Sequence, residues 1–232
     1  MRLACHAMDH PLDRPIWHAL ATHQAHLAIG GEAARRYHPD YAMFAAAADR
    51  GAAATAALAA LIAPGDAVIL IEREMPALPP GLAATTRAGV QMVAEPVTAP
   101  DGDDIVPLGD ADAAEMLALA TLTAPGPFFA RTHQLGRFVG VRDAGGRLLA
   151  MAGERLHLPG WREVSGVCTH PDARGQGLAA RLTLAVAARI LRDRETPFLT
   201  SYADNARAIA LYEALGFRRR CDLAVVRLER PA

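Results

Sequence analysis

Residues 167–180 read Val-Cys-Thr-His-Pro-Asp-Ala-Arg-Gly-Gln-Gly-Leu-Ala-Ala. An apolar stretch ends at Thr169, a turn follows at Pro171-Asp172, and a Gly-rich stretch opens onto a run with helical apolar spacing. The first N–H groups of a helix have no intrahelical acceptor and lie at the positive end of its dipole, so such a start is a natural anion site. Gly175 and Gly177 let the backbone approach a pyrophosphate where a Cβ would obstruct it, and Arg174 adds a permanent charge at the mouth. The same residues would serve a plain helix start whose glycines only pack. The strand, turn and helix context favours the phosphate.

The kind of phosphate ligand is narrowed by what is missing. A Walker A loop needs Gly-Lys-Ser/Thr, and the chain has no lysine at all. Gly175-Gln176-Gly177-Leu178-Ala179-Ala180 fits the dinucleotide fingerprint, but five residues, His170 to Arg174, separate it from the strand. The acid that should end the next strand is also misplaced: Asp193 and Glu195 come too early and Asp204 too late.

Other reactive residues form no pattern. The three cysteines, Cys5, Cys168 and Cys221, are scattered without a Cys-x-x-Cys pair, which fits free thiols in a reducing compartment. The nine histidines include no metal-ligand spacing, so no metal site is expected.

The elements that must position the loop are legible in the C-terminal half. Asp110 to Leu122 reads as a helix with Asp110 as N-cap. Arg137 to Arg142 and Leu148 to Leu156 are strands around Asp143-Ala144-Gly145-Gly146, and Trp161 to Thr169 is the next. A helix runs from Gly177 to about Asp193, with Leu178, Leu182, Val186 and Ile190 at i+4. Then come a strand (Phe198 to Tyr202), a helix (Asn205 to Leu215) stopped by Gly216, and two short strands, Phe217 to Cys221 and Leu223 to Leu228. This order predicts an α/β fold with a mixed central sheet and helices on both faces.

The N-terminal half, residues 1–95, reads as a smaller, mostly helical α/β region. It has a helical stripe at Ile16, Leu20 and Leu27, an Ala-rich helix from Thr55 to Ile62, and strands at Ala67 to Ile71 and Val90 to Val93. Residues 96–104, rich in turn formers and acids, predict a linker, and 105–232 the main domain.

With these motifs in order, the sequence resembles the GNAT superfamily of acetyltransferases. Arg174, Gly177 and Ala179 satisfy its Arg/Gln-x-x-Gly-x-Gly/Ala signature, and the second family motif follows as Asn205-Ala-Arg-Ala-Ile-Ala-Leu-Tyr-Glu-Ala-Leu-Gly-Phe217. The spacing is most similar to the branch with glycine N-acyltransferase-like proteins, over residues 105–230. Some members of that branch carry a degenerate N-terminal copy of the fold, which would suit residues 1–95, although no motif there supports it.

The resemblance implies acetyl-CoA, or another acyl-CoA, as co-substrate. The N–H groups of Gly175, Gln176, Gly177, Leu178, Ala179 and Ala180 would hold the pyrophosphate, and the strand edge at Val167, Cys168 and Thr169 would pair with the pantetheine arm as strand pairs with strand. Asn205 would contact the cofactor.

The reaction implied is transfer of acetyl to a primary amine by direct attack. An alkyl amine has a pKa near 10.4, so holding it neutral at pH 7 costs about 4–5 kcal/mol. Glu163 is the candidate base: the family often places a glutamate four residues before the Val167 position, and period-two geometry puts Glu163, Ser165 and Val167 on one face. Glu163 could equally be a solvated edge residue. Glu154 is a second candidate, and His133 and His157 are weaker ones. The Val167 N–H would serve the oxyanion, a donor worth about 3–4 kcal/mol. Tyr212 matches the family's acid. Full proton transfer from a phenol to a thiolate is uphill by about 2 kcal/mol, so a hydrogen bond to the leaving sulfur is at least as good a description. Cys168, with no adjacent base, reads as a buried structural thiol rather than an acyl carrier.

Composition bounds the partners. The 232 residues carry 24 basic and 25 acidic side chains, leaving no basic excess for nucleic acid. No apolar run is long enough to span a membrane and no signal peptide is evident, so a cytoplasmic protein is expected. The acceptor would be a small-molecule or peptide amine, with an apolar wall from Thr121 to Leu135. The oligomeric state is open, a homodimer included. Two other readings are a non-catalytic acyl-CoA-binding module of the same fold and a dinucleotide-binding oxidoreductase.

Overall fold

The structure is a computed structural model that describes residues 10–94, 97–98 and 104–232. In chain order, the elements are α1 (Pro15–Ala21), β1 (Ala28–Gly30), β2 (Ala34–Tyr37), β3 (Ala45–Ala47), α2 (Ala52–Ala60), β4 (Ala67–Glu72), β5 (Ala83–Ala94) and β6 (Ile105–Leu108). They continue as α3 (Ala113–Thr123), β7 (Phe138–Arg142), β8 (Leu148–Leu158), β9 (Trp161–Thr169), α4 (Leu178–Arg192), β10 (Thr196–Tyr202), α5 (Ala206–Ala214) and β11 (Phe217–Glu229).

Among the described residues, eight strands form one sheet in the order β4-β11-β5-β10-β9-β8-β7-β6, and β1, β2 and β3 form a small second sheet. β9 and β10 run parallel; the other neighbours in the large sheet are antiparallel. The expected mixed α/β sheet with helices on both faces is therefore present.

Strand alternation sorts the core into two layers. Val139, Val141, Ala150, Ala152 and Val164 meet Leu178, Leu182, Val186 and Ile190 of α4. Phe138, Met151 and Cys168 meet Met116 and Leu119 of α3, and Leu156, Leu158 and Phe198 meet Ile16 and Leu20 of α1. The four large residues of α4 fall on one stripe and are all buried, each stabilising the helix on the sheet by roughly 1.5–3 kcal/mol.

Several elements differ from the sequence reading. The N-terminal half is not mostly helical: α1 spans seven residues, Leu27 lies in a 3-10 turn, and β1 to β3 are additional strands. β4 and β5 belong to the large sheet, with β5 between β10 and β11. The boundary drawn at 96–104 thus separates strands of one sheet. Most of that segment, residues 96 and 99–103, lies outside the described residues. Burial drives this: β5 covers edges of β10 and β11 that would otherwise be unpaired. The two terminal strands are one strand, β11, with a register shift between Arg219 and Cys221. Asp110 does not cap α3. A 3-10 turn precedes the helix, and Asp112 accepts from the Gly109 N–H at 2.9 Å.

Candidate active site

The loop between β9 and α4 is exposed from Arg174 to Gly177, and the first buried side chain after it is Leu178. Gly175 and Gly177 have φ of +81° and +73°, the left-handed region that a Cβ disfavours. This conformation aims a row of amides outward. The six N–H groups from Gly175 to Ala180 make no hydrogen bond among the described residues; the helical ladder starts with the Arg181 N–H on the Gly177 carbonyl at 3.1 Å. Unpaired donors at a 15-residue helix start are the complement of a diphosphate.

Beside them the sheet opens. β9 and β10 pair only through Trp161–Thr196, Arg162–Pro197 and Glu163–Phe198, and the later residues of β9 have no strand partner on that side among the described residues. The opening is widened by a bulge in β9: Gly153 and Met151 of β8 oppose Ser165 and Cys168, so Ala152 faces both Gly166 and Val167. Gly166, at φ +63°, makes the bulge, and a Cβ there would come within 2.8 Å of the Phe138 ring. The bulge breaks period two. Val167 packs in the layer that contains Val164, not on the face of Glu163, contrary to the sequence expectation.

A cleft of about 550 Å³ follows these features. It is lined by Val167, Cys168, Thr169, Arg174, Gly175, Gly177, Leu178, Ala179, Ala180, Asn205 and Tyr212, together with Arg207 and Leu211, which the sequence reading missed. Gln176 alone among the expected cofactor residues does not line it. The Thr169 hydroxyl is buried without a partner in the wall of this cleft. Asn205 caps α5 by accepting from the Ala208 N–H at 3.2 Å.

A second cavity, about 350 Å³, shares Thr123, Pro125, Val167, Asn205, Ala208 and Tyr212 with the first. Residues 123–127 supply part of its wall, and Phe44, Ile69 and Ile71 of the N-terminal half supply another part. The two spaces meet at Val167 and Tyr212. The Tyr212 hydroxyl makes no hydrogen bond among the described residues. Burial raises its pKa above the ordinary value, with Arg155 opposing and Glu163 assisting, so the phenol stays protonated and available as a donor.

The glutamates are placed otherwise. Glu163 is 0% exposed and lines neither cavity. Arg155 Nε and Nη2 donate to its two carboxylate oxygens at 2.7 and 2.8 Å, a bidentate pairing on a carboxylate that burial already keeps out of both cavities. Glu154 lies on the α4 face and is bound by Arg137, Arg162 and Arg189. His133 and His157 line neither cavity. His133 is buried against Asp110 at 2.8 Å. His157 meets His23 and Glu195 with ligand-type atoms within 4.8 Å of one another, but Arg162 Nη2 is 3.1 Å from His157 Nε2 and 2.8 Å from Glu195. A guanidinium thus occupies the place a cation would take. The Cys168 thiol is pushed up to about 11 by burial, which works against a thiolate nucleophile at neutral pH.

Residues 138–226, from β7 into β11, match the FR47-like protein family. A solved GNAT-family protein from Novosphingobium aromaticivorans DSM 12444 is 46% identical, covers 97% of this chain and 100% of its own, and superposes with a TM-score of 0.90. This chain belongs to the GNAT family. A GCN5-related N-acetyltransferase from Kribbella flavida shares the GNAT fold at 19% identity, with a TM-score of 0.62 over 93% of this chain and 96% of that one. Among curated relatives, mycothiol acetyltransferase from Mycobacterium sp. (strain JLS) is 38% identical over 87 residues. That stretch is 35% of this chain and 29% of the relative, so the match spans less than a third of its length. Among the described residues of this GNAT chain no helix is long and apolar enough to cross a membrane.

Proposed function

We propose that the protein is an acyl-CoA-dependent N-acyltransferase that moves acetyl from acetyl-CoA to a primary amine by direct attack. The observation that carries this reading is the meeting of two cavities at Val167 and Tyr212, one of them flanked by six unpaired amides. The amides of Gly175 to Ala180 and the Arg174 guanidinium would hold the diphosphate. The open edge of β9 would take the amide-bearing arm, delivering the thioester to the place the cavities share.

There the amine nitrogen attacks the thioester carbon from the second cavity. The Val167 N–H stabilises the oxyanion, worth about 3–4 kcal/mol. The C–S bond then breaks and the sulfur leaves with a hydrogen bond from Tyr212. Because the Tyr212 pKa is raised, full proton transfer to the thiolate is less favourable than for an ordinary phenol. The amine proton passes to solvent. Glu163 serves as a positioning residue for Arg155, and Asn205 fixes the start of α5 and so the place of Tyr212.

Calorimetric titration with acetyl-CoA and with NAD, followed by free-thiol release with a panel of amines, tests the reading. Saturable acetyl-CoA binding with amine-dependent thiol release is expected. Binding without release for every amine would leave a silent module, and failure to bind acetyl-CoA would overturn the assignment.

A further inference from the structure

Among the described residues, the second cavity has one charged side chain in its lining, Arg155. Arginine has five N–H donors, and Glu163 takes two of them. No other hydrogen bond from this guanidinium occurs among the described residues, although its side chain is only 12% exposed. The group is held rigidly. Glu163 grips one edge, and the Phe44 ring lies 4.7 Å from its central carbon. A bulge in β8 sets this up, since Glu154 and His157 oppose Val164 and Arg162, so that Arg155 and Leu156 together face Glu163.

Three features of the same space point to one ligand chemistry. The spare guanidinium donors are nearly desolvated, a state in which a charge-assisted acceptor is worth most. Thr200 lines the cavity, and its hydroxyl lies buried in that wall without a partner. Ile69, Ile71 and Val225 provide an apolar wall. Among the described residues no carboxylate lines the cavity to meet a second positive charge. Glu163, which balances Arg155 electrically, is sealed behind it.

We propose that the acceptor is an amine that also carries a carboxylate, seated with the carboxylate on Arg155, its apolar part against Ile69, Ile71 and Val225, and its amine at Val167. This rests on the acyltransferase reading and narrows it: polyamines, aminoglycosides and other polycations are disfavoured, and amino-acid-like acceptors are selected. A volume near 350 Å³ suits a small ligand of that kind.

Matched pairs test it on the intact chain saturated with CoA: L-leucine against isopentylamine, and L-phenylalanine against phenethylamine, measured by equilibrium binding and then by thiol release with acetyl-CoA. The acid of each pair is expected to bind at least about tenfold tighter than its decarboxylated partner. In Arg155→Met combined with Glu163→Gln, which leaves no unpaired buried charge, that preference should fall to within about twofold while acetyl-CoA affinity is kept. Equal binding within the pairs, or no binding of either acid up to about 10 mM, overturns the inference without any variant having to fold. So does a preference that survives in the double variant. Failure of acetyl-CoA to bind would instead sink the acyltransferase reading.

Discussion

The side-chain amide of Gln24 donates to the backbone carbonyl of Arg155 at 2.8 Å, so the N-terminal half of the chain holds the bulge that presents the guanidinium. The same buried amide donates to the Leu135 carbonyl at 3.1 Å, and its oxygen accepts from the His157 N–H and the Tyr37 hydroxyl. Gln24→Leu would strand these four groups in the interior. With buried unpaired groups costing roughly 1–3 kcal/mol each and partial relaxation, a loss of about 3 kcal/mol is expected, read as a lower denaturation midpoint. Acceptor KM should rise while acetyl-CoA affinity holds. A variant as stable as the parent would refute the bridging role.

Gly177 and Gly160 share a left-handed backbone, φ +73° and +78°, and neither leaves a Cβ anything to strike within 4 Å. Alanine at either position should therefore cost a similar backbone penalty, roughly 1 kcal/mol. Only Gly177 faces the proposed diphosphate. Gly177→Ala is expected to weaken acetyl-CoA binding about tenfold or more, with Gly160→Ala leaving it unchanged. Parallel calorimetry on the two variants decides, and equal affinities would remove the loop from the cofactor site.

How much of this was legible follows from which signals are local. The α4 stripe of Leu178, Leu182, Val186 and Ile190 repeats at i+4 and needs no knowledge of its partners. Gly175 and Gly177 announce a turn whose amides face outward. Period two places Val167 on the wrong face because it holds only until a bulge, and Gly166 gives no sign by itself that it will adopt φ +63°. Arg155 was invisible for the matching reason in β8. It becomes a binding group only when Glu163 and Phe44, eight and more than a hundred residues away, close on it. The strands Ala34–Tyr37 and Ala45–Ala47 lack any alternation, and Ala-rich sequence reads as helix.

Glu154, 2% exposed, offers a test of the α4 face that leaves the chemistry untouched. Burial alone would raise its pKa, but Arg189, Arg137 and Arg162 outweigh burial and hold it below the ordinary value. A depressed carboxylate contributes stability that is present above the unfolded pKa, about 4.3, and is lost as pH falls through the lower folded one. Glu154→Gln strands the half-buried Arg189 and should cost about 3 kcal/mol at pH 7. The stability gap between parent and variant should narrow on acidification below about pH 4. Urea unfolding at a series of pH values measures it, and a gap that widens in acid would contradict the assignment.

Among the described residues no carboxylate or imidazole lines the cavity proposed for the amine, so the acceptor's own ionisation should set the pH dependence. Log kcat/KM is expected to climb by about one for each pH unit up to the amine's pKa, with no plateau between about pH 5 and 8 from a protein base. Tyr212 is needed protonated, and burial raises its pKa, so loss of its donor comes only as pH rises through a value above the phenol's ordinary 10. Tyr212→Phe removes the donor to the departing sulfur and leaves the ring beside Phe217, 6.0 Å away, in place. It should lower kcat by about 10–100-fold, with acetyl-CoA affinity held to within about threefold. A pH profile for the parent enzyme that levels off well below the amine pKa would reveal a base among residues assigned here to structure, and an undiminished kcat in Tyr212→Phe would place the leaving-group donor elsewhere.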